Sequence, residues 1–400
     1  MHSASENDTP SPEIFIPSEW CNAANAISCE SVTSPPVALI CGPKNCGKTT
    51  FSRHLLNVLL RRYRKVAYLD TDVGQAEFTP PGFLSLTIVD KMPADIKVPC
   101  LKTPERYALR DFLLPPPRFI VPTLTGHGVC SILEENHDKM KKYCMVNNSG
   151  CLANADMPMV INTPGWVKGI GYEILVEILK YTSPSHVVNI CISAKNKNLP
   201  RGVFWLDEGE ASLTNLIEIN SARQDPSGTS ILVQKNSPFM RDLRIIAYFK
   251  QCFPSGALPV HPKELAHALA AHPPYEIPLS SIKIKHLHCQ VPKAEVFYSL
   301  NATIVGLAVS CDGTEDMPHC VGLGIVRSID TLKRVLYIIT PVPLDSLEKV
   351  DLLLQGFIEL PTSLLQVQGC VSPYMSANVL PEYYCWNAHT HGRNQITTIQ

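Results

Sequence analysis

The chain has 400 residues, with 35 Lys and Arg against 36 Asp and Glu, a formal net charge of -1, and 45% hydrophobic and 18% charged residues. This composition excludes a disordered or collagen-like chain, and the length suits about two domains of ordinary size. Near-neutral charge also excludes a protein that coats nucleic acid by bulk positive charge, so any polyanion must be met by a local patch.

The fifteen cysteines are odd in number, are scattered through apolar runs such as Val188 to Ile192, and form no Cys-x-x-Cys pair. Neither a disulfide framework nor a zinc ribbon is expected, and a reducing compartment follows. Met1 to Asp8 is polar, without the apolar segment of a signal peptide. No apolar run approaches the roughly 18 residues of a spanning helix. The expectation is a soluble, non-secreted chain with no membrane partner.

Residues 1–35, rich in Ser, Pro, Asn and Glu with one apolar island from Ile14 to Trp20, read as a short leader with one docked element. From Val37 the pattern is βα: a strand to Cys41, a glycine-bearing turn, a helix to about Arg62, and a strand from Val66 ending at Asp70. Strands are predicted at Met159 to Asn162 and His186 to Ile192, with a helix from about Gly171 to Tyr181 between them. Leu114 to Pro117 and the polar run Glu134 to Gly150 read as a long surface insertion. A helix spans about Phe239 to Phe253. After His272 the character changes to short β-branched runs at Ala302 to Val309, Val321 to Val326, Val335 to Thr340 and Gln355 to Leu360. The fold class is α/β: a P-loop NTPase domain with a parallel sheet flanked by helices, over residues 36–272, and a smaller C-terminal all-β domain over residues 273–380. Residues 381–400 read as a flexible tail.

Gly42-Pro43-Lys44-Asn45-Cys46-Gly47-Lys48-Thr49 fits GxxxxGK[ST] directly after a buried strand and directly before a helix. Glycines let successive N–H groups point at phosphate oxygens, and the helix N-terminus adds partial positive charge. Lys48 is then expected to reach the β and γ phosphates and Thr49 to ligate Mg²⁺. Asp70-Thr71-Asp72-Val73-Gly74-Gln75 closes the next strand, which is expected beside the first. Two acids one residue apart can divide labour, Asp70 in the metal shell and Asp72 accepting a proton; the alternative is that either merely caps the turn. Asn196-Lys197-Asn198-Leu199 has Leu where a guanine-reading aspartate belongs, which disfavours GTP and leaves ATP. The loop from Ser193 to Pro200 either borders the base or is a plain connection.

Thr163-Pro164-Gly165-Trp166 puts an indole at the C-terminal edge of the sheet, where ligands of such folds bind. A Trp held by a Pro-Gly turn suits stacking on a base, against the alternative of a core residue. Arg241 and Arg244, three apart, share a helix face and suit charge neutralisation on a moving phosphoryl group, or a solvated face with an Asp242 ion pair. His286-Leu287-His288-Cys289 has no second ligand pair at zinc spacing and reads as strand. Arg61, Arg62, Arg64 and Lys65 suit the C-terminal end of a helix dipole.

Together these residues resemble the polynucleotide 5'-hydroxyl kinases of the Clp/Grc type. The Gly42 to Asn45 loop, Phe78 to Gly82, Ser281 to Asn301, Gly322 to Arg327 and Leu352 to Gly356 are similar to the nucleolar rRNA-processing branch. The resemblance implies ATP on Gly42 to Thr49 and Thr50, Mg²⁺ near Thr49 and Asp70, and Asp72 handling the 5'-hydroxyl. It implies Trp166 in the clasp on the terminal nucleotide, with Gln75, Thr163 and Gly165 as further substrate-binding residues, and Arg241 and Arg244 as lid arginines. It further implies RNA 5'-hydroxyl ends as substrate, pre-rRNA processing in the nucleus and nucleolus, and protein partners such as an endoribonuclease. Two departures stand out: only 41 residues precede the loop where the family carries a β domain, and residues 107–144 do not follow the family pattern. The expected function is therefore transfer of the γ-phosphate of ATP to 5'-hydroxyl ends of single-stranded RNA, or DNA. The rival expectations are an inactive ATP-binding scaffold in an RNA-processing complex and a small-metabolite kinase.

Overall fold

The computed structural model describes residues 16–30, 34–90, 119–122, 157–206, 214–222, 237–254, 261–287, 289–311 and 314–365. The insertion expected from Leu114 to Gly150 lies outside these residues except for one short strand, as do the tail after Pro381 and His288. The chain divides into two compact units, residues 1–243 and 244–400.

The first unit is built on β1 (Val37–Cys41), β2 (Val66–Asp70), β3 (Phe83–Val89), β4 (Phe119–Pro122), β5 (Met159–Asn162), β6 (His186–Cys191) and β7 (Asn215–Asn220). They form one sheet in the order β4-β3-β2-β5-β1-β6-β7. The five strands from β2 to β7 in that order run parallel, while β3 and β4 are antiparallel additions at one edge. Alternate residues of the central strands face opposite sides, as strand geometry requires. Ala38 and Ile40 join a cluster with Phe51, Leu55 and Leu59 of α2 (Lys48–Leu60) and Trp20, Ala24 and Ile27 of α1 (Ser18–Glu30). Leu39 and Cys41 join the opposite cluster with Ile174, Leu175 and Ile178 of α3 (Ile170–Thr182). Burial on both faces explains why these strands read as continuous apolar runs.

Three features differ from expectation. β2 is not beside β1: β5 lies between them, with Leu39 and Leu69 both in register with Ile161. The crossover through α2 skips one position, and pattern alone does not say which later strand fills it. β3 and β7 were not foreseen, because Ser85 and Thr87 dilute the apolar signal of β3 and β7 is a half-exposed edge strand carrying Glu218. The docked element expected in the leader is a full helix, α1, whose Trp20 is buried.

The second unit carries β8 (Tyr275–Pro278), β9 (Lys283–His286), β10 (Ile304–Cys311), β11 (Thr314–Asp330), β12 (Val335–Ile339) and β13 (Leu352–Gln355). Their order is β8-β12-β11-β10-β13-β9, antiparallel apart from the β13–β9 pair. The expected strand from Gln355 to Leu360 instead ends at Gln355, since the buried run is Leu352 to Leu354. Helices accompany the sheet in this unit. α4 (Ser237–Lys250) spans the division between Leu243 and Arg244, and α5 (Pro262–Ala271) starts on a capping box made by His261 and Glu264.

Within this unit Tyr248 of α4 lies against β11. Its hydroxyl accepts the N–H of Leu323 at 2.8 Å, and a Cβ on Gly322 would sit 2.4 Å from that hydroxyl oxygen and 2.5 Å from Val342 Cγ2. Glycine at 322 is therefore a packing requirement. Gly322→Val is expected to destabilise the protein by about 1–3 kcal/mol through overpacking, read as a lower midpoint in urea denaturation.

Candidate active site

The turn from β1 to α2 is held in a shape that only its glycines allow. Gly42 has φ 141° and Gly47 φ 104°, with Asn45 between them at φ 62°. A Cβ on Gly42 would meet the Ile190 carbonyl oxygen of β6 at 2.4 Å. Left-handed residues set among right-handed ones turn successive N–H groups toward one point, which is an anion cradle, and the N-terminus of α2 opens onto it. Lys48 is buried, and its Nζ donates to the Pro43 carbonyl at 3.0 Å, so the ammonium lies across the loop. Thr49 and Thr50 follow, half-buried, in the first turn of α2. Burial pushes the Cys46 thiol up against the opposing effect of Lys48, so Cys46 is an uncharged part of the loop. Ser221, just past β7, donates to the Cys46 carbonyl at 2.9 Å.

The connection from β5 to α3 forms a second wall. Thr163 is fully buried and donates its hydroxyl to the Ile40 carbonyl at 2.7 Å, so it anchors the turn from beneath and does not line the cleft. A Cβ on Gly165 would lie 2.6 Å from Cα of Lys44, which means that the Thr-Pro-Gly-Trp turn rests directly on the phosphate loop. Trp166 is half-buried, packed by one side on the apolar cluster under α3 and open by the other. Between the two walls is a cleft of about 760 Å³ lined by Pro43, Lys44, Asn45, Trp166, Lys168 and Lys197, among others.

At the end of β2 stands a carboxylate pair, Asp70 and Asp72, neither of which lines the cleft. Asp70 is fully buried; its Oδ1 accepts from the Asp72 N–H and Asn162 Nδ2, both at 3.1 Å, and its Oδ2 accepts from the Glu77 N–H at 2.6 Å. Desolvation first, and the Asp72 charge second, push its pKa from 3.8 up to about 7 despite these donors. Asp72 is less buried, and its Oδ1 accepts the N–H groups of Gly74 and Gln75 at 3.1 and 3.2 Å. It therefore caps the turn as well as standing at the strand edge. Gln75 is half-buried in that turn and does not line the cleft.

Arg241 and Arg244 lie half-buried on α4, one on each side of the division between the units, and do not line the cleft. In the loop after β6 the Asn198 amide spans Ile192, accepting its N–H at 2.9 Å and donating to its carbonyl at 2.7 Å, while Leu199 is buried. That loop brings Ile192 and Lys197 to the cleft. Sequence reasoning missed Lys168 and Asn162, and it placed Lys197 in a loop that either borders the base or is a plain connection. Lys168 carries no motif. Asn162 had a signal, as the polar end of a buried strand in front of Thr-Pro-Gly-Trp.

A phosphate-cradling loop, a strand-end acid pair and an aromatic turn on one parallel sheet define a P-loop kinase fold with a separate C-terminal domain. A family model for the P-loop of mRNA cleavage and polyadenylation factor CLP1 matches residues 42–107 and 127–250, and one for a NOL9-like C-terminal domain matches 270–361. The chain is 56% identical to "Polynucleotide 5'-hydroxyl-kinase NOL9" of Arabidopsis thaliana, over 94% of this chain and 99% of that one. It is 31% identical to the protein so named from Danio rerio and 28% identical to that from Homo sapiens, and spans about half the length of each (49% and 54%). Among solved structures, wild-type Clp1p in complex with Pcf11p matches with a TM-score of 0.58 at 14% identity, over 85% of this chain and 78% of that one. The chain belongs to the NOL9/GRC3 family of polynucleotide 5'-hydroxyl-kinases. The P-loop match omits residues 108–126, within the stretch where the sequence departs from the family pattern.

The raised pKa of Asp70 has a measurable consequence. Between about pH 4 and pH 7 the folded state keeps a proton on Asp70 that the unfolded chain has released, so unfolding free energy falls as pH rises through this window and levels off above it. In metal-free buffer, Asp70→Asn is expected to flatten that slope, as followed by urea denaturation across the pH range.

Proposed function

We propose that the chain transfers the γ-phosphoryl group of ATP to the 5'-hydroxyl end of single-stranded RNA, with DNA as a second acceptor to be tested. The observation that carries this reading is that Trp166 shares one cleft with Pro43, Lys44 and Asn45 of the phosphate loop. A base stacked on the indole has its sugar beside the loop, and Lys44, Lys168 and Lys197 offer positive charge to a polyanion there. The 56% identity to a polynucleotide 5'-hydroxyl-kinase supports the kinase reading.

In this reading the loop amides and Lys48 hold the β and γ phosphates. Asp72 takes the proton of the 5'-hydroxyl as its oxygen attacks the γ phosphorus, and the bond from phosphorus to the ADP oxygen breaks. Its hydrogen bonds from Gly74 and Gln75 fix the carboxylate direction. Thr49 and Asp70 would hold Mg²⁺: both offer oxygen donors, the ligand type that this ion takes, and Asp70 stands at the end of β2. Bound there, Mg²⁺ would neutralise charge on the phosphates.

The proposal extends to pre-rRNA processing in the nucleolus beside protein partners such as an endoribonuclease. Resemblance to the nucleolar branch supports the first part. For the second, the structural neighbour Clp1p was solved in complex with Pcf11p, which supports a protein partner and says nothing of an endoribonuclease.

Labelled ATP offered with RNA and DNA oligonucleotides bearing 5'-hydroxyl ends tests the reading, and nucleotide bound without label transfer would favour the scaffold instead. Lys48→Ala is expected to lower transfer by about 100-fold or more at an unchanged melting temperature. Trp166→Ala is expected to raise KM for RNA by about 5- to 100-fold, the range that one base–aromatic stack is worth, and to leave KM for ATP alone.

A further inference from the structure

We propose that Trp20 is a positioning residue of the nucleotide site: through it α1 braces the phosphate loop and sets its affinity for ATP. The inference rests on the reading of that loop as the ATP site.

Trp20 is 1% exposed, and its indole ring lies where a side chain of Gly47 would begin, 2.7 Å from the ideal Cβ position. Gly47 is the left-handed residue, φ 104°, that ends the loop and caps α2, so the indole presses on the pivot between cradle and helix. The ring also meets Phe51, in the second turn of α2, edge to face at 5.5 Å and 85°.

Polar bonds close the brace. The indole N–H donates to the Asn220 carbonyl at 2.8 Å, and the next residue, Ser221, donates to the Cys46 carbonyl at 2.9 Å. Glu19 accepts the Asn220 N–H at 3.3 Å, so two neighbouring residues of α1 hold the end of β7. A circuit therefore runs from α1 to the end of β7, to Cys46 in the loop, and through Gly47 back to the indole.

The geometry is that of preorganisation. A loop with three positive-φ residues has other shapes open to it, and each shape that it leaves before phosphate arrives costs affinity. A wedge against Gly47 and a tether on Cys46 remove that freedom at the end of the loop that leads into α2. Loosening the brace should act on ATP and not on the polynucleotide strand, because Trp20 does not line the cleft that holds Trp166. A residue that only filled the core would lower stability and leave the ATP affinity of the folded molecules unchanged.

The test uses the full chain, with labelled ATP and Mg²⁺ in equilibrium dialysis, melting curves, and separate KM values for ATP and RNA. Trp20→Ala is expected to raise the Kd for ATP by about 10-fold or more, with KM for RNA within about 2-fold of wild type. Trp20→Phe keeps an aromatic ring on α1 but lacks the distal indole atoms Cη2, Cζ2 and Cζ3 that meet Gly47, and loses the bond to Asn220; it is expected to fall between wild type and Trp20→Ala. Folded variants that bind ATP as wild type does, or that lose ATP and RNA affinity equally, overturn the proposal. Should Trp20→Ala not fold, Trp20→Phe decides alone, and an unchanged Kd for ATP overturns it. Failure of the wild-type chain to bind ATP would instead remove the nucleotide reading itself, and this inference with it.

Discussion

The site depends on how closely other backbone and ring atoms approach the phosphate loop. At Gly42 the carbonyl of Ile190 stands where a side chain would be, at Gly47 the ring of Trp20 does, and the missing side chain of Gly165 lets the aromatic turn rest on Lys44. These three contacts come from β6, α1 and the β5–α3 turn, so elements far apart in sequence grip a few residues of strained backbone. Such a conformation persists only where its surroundings over-determine it. The loop's anion cradle is thus a property of the assembled sheet.

The acid pair follows the same logic in electrostatic form. Asp70 is buried and surrounded by N–H donors, whereas Asp72 stands nearer the edge and ties down its own turn. Two chemically identical side chains one residue apart therefore have different characters, set by burial. Asn162 is the joint between them and the rest of the sheet: its amide serves Asp70 while its carbonyl accepts both the N–H and the hydroxyl of Thr71.

The parts of this structure that were legible in the sequence are those in which one residue type is required at one place. The glycine-lysine-threonine loop, the Asp-x-Asp strand end and Thr-Pro-Gly-Trp were visible because no other residues give that geometry. Spacing also put Arg241 and Arg244 on one helix. Neighbourhood was not legible: β5 between β1 and β2 depends on which of several similar apolar runs pairs best, and Lys168 and Lys197 reach the cleft only because of how two loops run. Nor was the partner of Thr163 legible, whose hydroxyl donates to the carbonyl of Ile40 in the neighbouring strand. Trp20 was foreseen as part of something docked, but not as the piece in contact with Gly47.

The strand order also constrains how the molecule comes into being. β1 and β2 are made early and cannot pair with each other; each waits for β5, whose first residue, Met159, comes 89 positions after Asp70. Closing so long a chain segment is entropically unfavourable and slows folding relative to local pairing. During synthesis the edges of β1 and β2 that β5 fills therefore have no native partner until Met159 to Asn162 has been made. β6 and β7 are made later still and complete the sheet, and unpaired strand edges before then favour aggregation of the nascent chain.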